Sequence, residues 1–171
     1  MRVLVSDTSV LVDLERGNLL PRAFQLPAAF AVPDVLYERE LRPYGGEQLL
    51  KLGLRVEKLD GAGVEQAQAY RRRRPALTVA DGLALTLAKR SDWILLSGDG
   101  SLRDLAREER VECHGVLWLL DRLEVERVAR HDELHDGLQR ITAHPKCRLP
   151  KQDVEVRLQR YMGTILRKAE N

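Results

Sequence analysis

The sequence predicts an α/β fold, a parallel sheet of about five strands with helices on both faces, and three observations predict it. Short apolar runs of strand length alternate with helix-length amphipathic segments through most of the chain. The runs are apolar at successive positions rather than at every second one, as in VLV, AAFAV and WILL, the pattern of strands buried on both faces. At 171 residues the chain is long enough to bury a self-sufficient core without disulfide or metal staples.

Taken in order, strands are expected at residues 3–5, 28–32, 54–57, 93–96 and 111–113. Helices are expected at 9–16, 35–41, 47–52, 64–74, 79–89 and 102–109 between them. After Gly115 the strand signal stops, and 116–125, 133–143 and 153–169 read as helices, with the breaker segment HPKCRLPKQ between the last two. No flexible linker separates these helices from what precedes them. The expected organisation is therefore a domain over residues 1–125 and a helical extension over 126–171 packed on the same domain.

Composition narrows the class. The chain is 44% hydrophobic and 32% charged, which excludes wholesale disorder. A net charge of +2 does not by itself announce a nucleic-acid binder, although local basic clusters still can act as one. Cys113 and Cys147 are far apart and outside any CxxC spacing, so neither a disulfide framework nor a zinc knuckle is expected, and a cytoplasmic location is. The opening MRVLVSDTSVLVDL runs directly into Asp7 and Asp13, so no secretory leader is expected. No stretch approaches the apolar length of a membrane span.

The informative residues are acids in apolar surroundings. Ligands of open parallel sheets bind beyond the carboxyl ends of the strands. Asp7 follows the first strand in VLVSDTSV, and Asp99 follows the fourth in LLSGDG. Asp81 begins the helix before that fourth strand and shares a helical face with Ala84, Leu85 and Ala88. Glu38 and Glu40 lie after the second strand in VPDVLYEREL. A buried carboxylate needs a partner, since burial raises its pKa or costs several kcal/mol if it stays ionised. Each acid also has a local explanation. Asp7 and Asp99 can cap the helices they precede, a role that contributes about 1 kcal/mol. Asp81 completes the capping-box pattern Thr78-x-x-Asp, and the two glutamates can be solvated helix positions. Caps alone need not gather at strand ends or on an apolar face, so their joint placement favours a shared site.

The four stretches SDTSVLVDL, VPDVLYEREL, TVADGLALTLA and LLSGDGSLRDLA, in that order and spacing, resemble the successive motifs of PIN-domain ribonucleases, prokaryotic toxin ribonucleases among them, over roughly residues 2–125. The resemblance implies a Rossmannoid three-layer sandwich and a Mg²⁺- or Mn²⁺-dependent endoribonuclease. It places the catalytic, metal-binding acids at Asp7, Glu40, Asp81 and Asp99. Leu36 to Glu40 followed by Leu41 fits the family's second motif; Glu38, turned roughly 160° away on a regular helix, is the alternative. Asp13 and Asp104 fall outside the matched positions and are expected to be solvated. The partners implied are RNA, an antitoxin protein if the chain is the toxin of a toxin–antitoxin pair, and a second copy of the chain.

The chemistry is consistent with those residue types. Clustered carboxylates repel one another unless a divalent cation neutralises them, and oxygen ligands without Cys or His favour Mg²⁺ or Mn²⁺ over zinc. Such a cation polarises a phosphoryl oxygen and activates water for in-line attack. Thr8, Ser9 and Ser97 flank the acids and can hydrogen-bond them or a phosphate, or simply shape turns. The run Arg71, Arg72, Arg73 and Arg74 can hold RNA phosphates, or can be a solvated helix end favoured by the dipole. His131 and His135, four apart, have only His144 nearby, and a surface or capping role is expected of them. The apolar faces of the last helices fit core packing or a dimer or antitoxin surface. Competing functions are a housekeeping RNA-processing nuclease, a PIN-like module that binds RNA or protein without cutting, and a phosphoacceptor receiver. Against the receiver, the first strand offers a lone Asp7, and Cys113-His114-Gly115 rather than a Lys follows the fifth.

Overall fold

The structure, a computed structural model, describes residues 2–170. Five strands form one parallel sheet: β1 (Arg2–Ser6), β2 (Ala28–Pro33), β3 (Arg55–Glu57), β4 (Ile94–Leu96) and β5 (Cys113–His114). Their spatial order is β3-β2-β1-β4-β5, so the chain winds outward in one direction to β3 and then restarts on the other side of β1. The order reverses between β1 and β4, where Leu4, Val5 and Ser6 pair with Ile94, Leu95 and Leu96. Crevices at such reversals are where sheets of this kind bind ligands.

The strands form because their residues are buried on successive positions. Val3, Leu4, Val5, Phe30, Ala31, Val32, Ile94, Leu95 and Leu96 are all buried, so both faces of the sheet are covered. On one face Val5 and Leu95 join Tyr70, Leu77, Ala84, Leu85, Leu102 and Leu105 in the main cluster. The helices of that layer are α5 (Gly61–Arg73), α6 (Val79–Ser91) and α7 (Gly100–Glu108). Helix α6 is nearly buried throughout, from Gly82 to Ala88, which is why its sequence reads as apolar rather than amphipathic.

Most elements fall where expected, with three differences. The fifth strand is Cys113–His114, two residues later than expected, because Arg110 takes a left-handed conformation (φ 59°) and Val111 closes α7 by bonding back to Ala106. The stretch after β2 is not one regular helix. It runs from α3 (Asp34–Leu36) through a π turn, Tyr37–Leu41, to a 3₁₀ turn, Arg42–Tyr44, ahead of α4 (Gly46–Leu52). A short helix, α2 (Leu20–Ala23), follows α1 (Thr8–Arg16) where none was expected.

The chain divides into two compact units. The first comprises residues up to Leu11 and Pro27–Val116, and it contains the whole sheet. The second comprises Val12–Leu26 and the chain from Leu117 onward, with most of α8 (Val116–Val125) and all of α9 (His131–Ala143) and α10 (Lys151–Ala169). The helical unit thus begins before residue 126 and recruits a segment from near the amino terminus. Gly137 accounts for that recruitment: a Cβ there would lie 2.6 Å from Leu19 Cδ1 and 2.8 Å from the Gly17 carbonyl oxygen, so only glycine admits this segment. Arg22 pairs with Glu133 at 2.8 Å, and Arg157 and Arg160 pair with Asp121. Among the described residues, no helix is long and apolar enough to cross a membrane.

Candidate active site

The site is built around Asp7, the first residue beyond β1. It is buried, as are Ser6 before it and Ser97 beyond the end of the neighbouring β4. Backbone pairing holds the two ends together: the Asp7 amide donates to the Leu96 carbonyl at 2.9 Å. The Ser97 hydroxyl donates to Asp7 Oδ2 at 2.6 Å, while Ser9 Oγ and the Val10 amide donate to Oδ1 at 2.8 and 3.0 Å. Burial nevertheless raises the Asp7 pKa above the usual carboxylate range, and the negative charge of Asp81 pushes it the same way. No basic side chain offsets this: Asp7, Glu40, Asp81 and Asp99 form no ion pair among the described residues.

The other acids arrive from three separate elements. The Ser97 hydroxyl that binds Asp7 also accepts the Asp99 amide at 3.0 Å, so Asp99 is tied to the end of β4. Asp99 Oδ1 caps α7 by accepting the Leu102 amide at 2.8 Å. Asp81 forms the capping box of α6, its Oδ2 accepting from the Thr78 amide at 2.8 Å. Glu40 is half-buried and its Oε2 accepts a hydrogen bond from the Thr8 hydroxyl, next to Asp7 in the chain. Glu38 turns outward and binds Arg42 at 2.7 Å, both side chains more than half exposed. The two glutamates lie two positions apart in the π turn and so point to opposite sides of it, Glu40 toward Thr8 and Glu38 toward Arg42.

The local capping expected of Asp7, Asp81 and Asp99 is therefore present, and each amide takes one identified oxygen. Asp81 Oδ1, Asp99 Oδ2 and Glu40 Oε1 accept no hydrogen bond among the described residues. The four acids share one edge of the sheet, yet among the described residues no three His, Cys, Asp or Glu side chains stand close enough to form a metal-holding group. The donor set fits a hard divalent cation in its chemistry: all oxygen, uncompensated by Lys or Arg, with Asp7 and Asp81 repelling each other.

Thr8 and Ser9 spend their hydroxyls on Glu40 and Asp7, and Ser97 on Asp7. The arginine run is largely committed inside the protein. Arg71 donates to the Leu77 carbonyl at 3.3 Å, Arg73 pairs with Glu108 and Glu109, and Arg74 pairs with Glu108. The sequence reading missed Arg103, in the first turns of α7. Its charge reaches Cys113, as does that of Asp7, and it forms no ion pair among the described residues. Burial pushes the Cys113 thiol up to about 11, which leaves it protonated and unreactive. The only sequence signal for Arg103 was its position four residues after Asp99. Asp104 pairs with Arg107 at 3.2 Å and Asp13 with Arg16 at 3.3 Å, each within its own helix, while His131, at the start of α9, meets Glu124 of α8 at 3.2 Å.

A family model described as PIN domain matches residues 3–162. Among solved structures, a PilT N-terminus domain protein from the hyperthermophilic archaeon Sulfolobus solfataricus P2 is similar, with a TM-score of 0.50 and 15% identity over 72% of this chain and 95% of that one. That likeness concerns the fold. No curated protein matches the sequence.

Proposed function

Because this chain belongs to the PIN-domain family, whose fold is generally that of nucleases, we propose that it is an endoribonuclease that uses Mg²⁺ or Mn²⁺ at the edge of the sheet. One observation carries the reading: a buried carboxylate, Asp7, held by three donors at the point of strand reversal, with a second carboxylate beside it and no basic partner. A fold does not retain such a charge for stability, since an uncompensated buried carboxylate weakens it.

Asp7 would hold the cation with Asp81, joined by Asp99 and Glu40 through the oxygens their caps and the Thr8 contact leave open. When bound, the cation supplies charge stabilisation to a phosphoryl oxygen and a more acidic water. The chain's own residues do the positioning. Ser97 fixes Asp7 and the Asp99 backbone in one arrangement, Thr8 holds Glu40, and the capping box holds Asp81 at the start of a buried, rigid helix. Arg103, unpaired and close to Cys113, is the cation we assign to the substrate phosphate, in preference to the committed arginine run.

A second reading, a PIN-like module that binds RNA without cutting it, is favoured by the absence of a metal-holding trio among the described residues. Structured RNAs incubated with the protein in Mg²⁺, Mn²⁺ or EDTA separate the two. The nuclease reading expects cleavage that EDTA abolishes and either cation restores, loss of it in Glu40→Gln, and a raised KM in Arg103→Gln. Binding without products in either metal overturns it. Within the nuclease reading we propose the toxin role over housekeeping processing. Val156, Met162 and Leu166, exposed on α10, would then meet an antitoxin or a second copy of the chain, and a small DNA-binding protein encoded immediately upstream is the check.

A further inference from the structure

The opposite edge of the sheet carries a second feature, which the nuclease reading does not use. Where β1, β4 and β5 begin, a cavity of about 410 Å³ opens between Arg2, Lys89, Asp92, Trp93, Arg110 and Glu112. It lies a strand's length from the acids: Arg2 starts β1 and Asp7 follows its end, five residues or roughly 16 Å along the strand. The volume is that of a small-molecule site.

Its lining has three parts. The floor is apolar, from Val3, Ile94 and Val111, and the half-buried Trp93 packs against the core clusters beneath. Lys89 is occupied by Glu109, and Glu112 by His114 at 2.8 Å. Arg2 and Arg110, by contrast, form no ion pair among the described residues, and the Asp92 carboxylate accepts no hydrogen bond. Asp92 and Arg110 both end helices in the left-handed region (φ 52° and 59°), a conformation that glycine adopts at less cost. Arg2, Arg110, Trp93 and Asp92, none of the charged three with an ion-pair partner among the described residues, thus line the same space. A simple anion would leave the indole and the floor unused, and a neutral ring would leave the arginines unused. A ligand that is dianionic at one end, aromatic at the other and bears N–H or O–H donors between uses all three.

We propose that this cavity binds a nucleotide, its phosphate between Arg2 and Arg110, its base against Trp93, and a ribose or base donor on Asp92. The same chemistry is offered by a free mononucleotide and by the phosphorylated end of an RNA strand. The site is independent of the acidic edge. The test titrates the full chain, in EDTA, with uridine and adenosine monophosphates, inorganic phosphate and a short 5′-phosphorylated oligoribonucleotide, following the indole N–H resonances of Trp93 and Trp118. Trp93→Phe assigns the signals, and Trp118 is the internal control. The expected result is a saturable shift of the Trp93 resonance alone, weakened roughly tenfold or more by Arg2→Gln and again by Arg110→Gln. A shift with mononucleotides makes the free nucleotide the ligand; a shift with the oligonucleotide only makes it the RNA end. Asp99→Asn is expected to bind unchanged, so failure here and failure of the nuclease reading are read separately. No shift with any nucleotide, inorganic phosphate binding as tightly as the mononucleotides, or binding indifferent to both arginine substitutions overturns the proposal.

Discussion

Replacing Gly82 by alanine tests how closely α5 and α6 pack, and through them how Asp81 is placed. Gly82 is buried in α6, directly after Asp81. A Cβ at this position would lie 2.8 Å from the Ala67 carbonyl oxygen of α5, against about 3.4 Å for ordinary contact, so the helices must part by about 0.6 Å. Two terms oppose each other. Alanine is about 1 kcal/mol better than glycine inside a helix, and overpacking against fixed backbone costs about 1 to 3 kcal/mol. The obstacle is a carbonyl, not the end of a flexible side chain, so the clash wins by about 1 kcal/mol. For a chain of this length that lowers Tm by about 3 °C, readable by circular dichroism. Because the displacement falls beside Asp81, RNA cleavage should drop about tenfold, given that a 1 Å misplacement can cost about 100-fold. Gly163→Ala is the control: the position lies within α10 with nothing near its Cβ, and the same change there should raise Tm by about 3 °C. A higher Tm for Gly82→Ala, matching Gly163→Ala, would refute the close approach of α5 to α6.

Two further outcomes follow from the charges. Burial raises the Asp7 pKa in the fold, so the ionised group weakens the fold above that pKa, and the penalty disappears as pH falls through it toward the unfolded value. Asp7→Asn should therefore melt higher than the parent at neutral pH, the gap closing in acid, while RNA cleavage is lost; melts across the acid range and a cleavage assay check both. Glu109 behaves oppositely, since hydrogen bonds from Lys89, then Arg73, hold its carboxyl down to about 2. Its contribution is present above the unfolded value near 4.5 and lost as pH falls toward 2, so Glu109→Gln should lower stability at pH 7 by up to about 1 kcal/mol, less in high salt, with the two proteins converging at the acid end.

The sheet was legible because burial on both faces makes strand residues uniformly apolar, as VLV and WILL show. The glutamate region was not legible as structure. YEREL has no feature that distinguishes a π turn from an α turn, and the partner that singles out Glu40, Thr8, lies 32 residues earlier in the chain. The helical unit was misjudged at its start because its first segment lies far away in the chain. What joins Val12–Leu26 to α9 is the bare Cα of Gly137, and a glycine within a helix does not announce its partner. The arginine run was ambiguous for the same reason. Its carboxylate partners, Glu108 and Glu109, are more than thirty residues away.

The acids pose the sharper question, because capping and catalysis had been weighed as alternatives and the structure makes them compatible. A cap uses one carboxylate oxygen and, by fixing the side-chain torsions, aims the other. Asp99 Oδ1 is committed to the Leu102 amide and Asp81 Oδ2 to the Thr78 amide, which leaves their second oxygens held in place at the sheet edge. Asparagine caps helices as well as aspartate does. Asp81→Asn and Asp99→Asn therefore keep the accepting oxygen and remove only the charge, so melting should stay within about 0.5 kcal/mol of the parent. If these acids serve the helices alone, cleavage survives both substitutions. If the free oxygens serve a cation, each substitution costs cleavage at least about 100-fold with the fold intact, because an amide cannot replace an anionic ligand of a hard divalent ion.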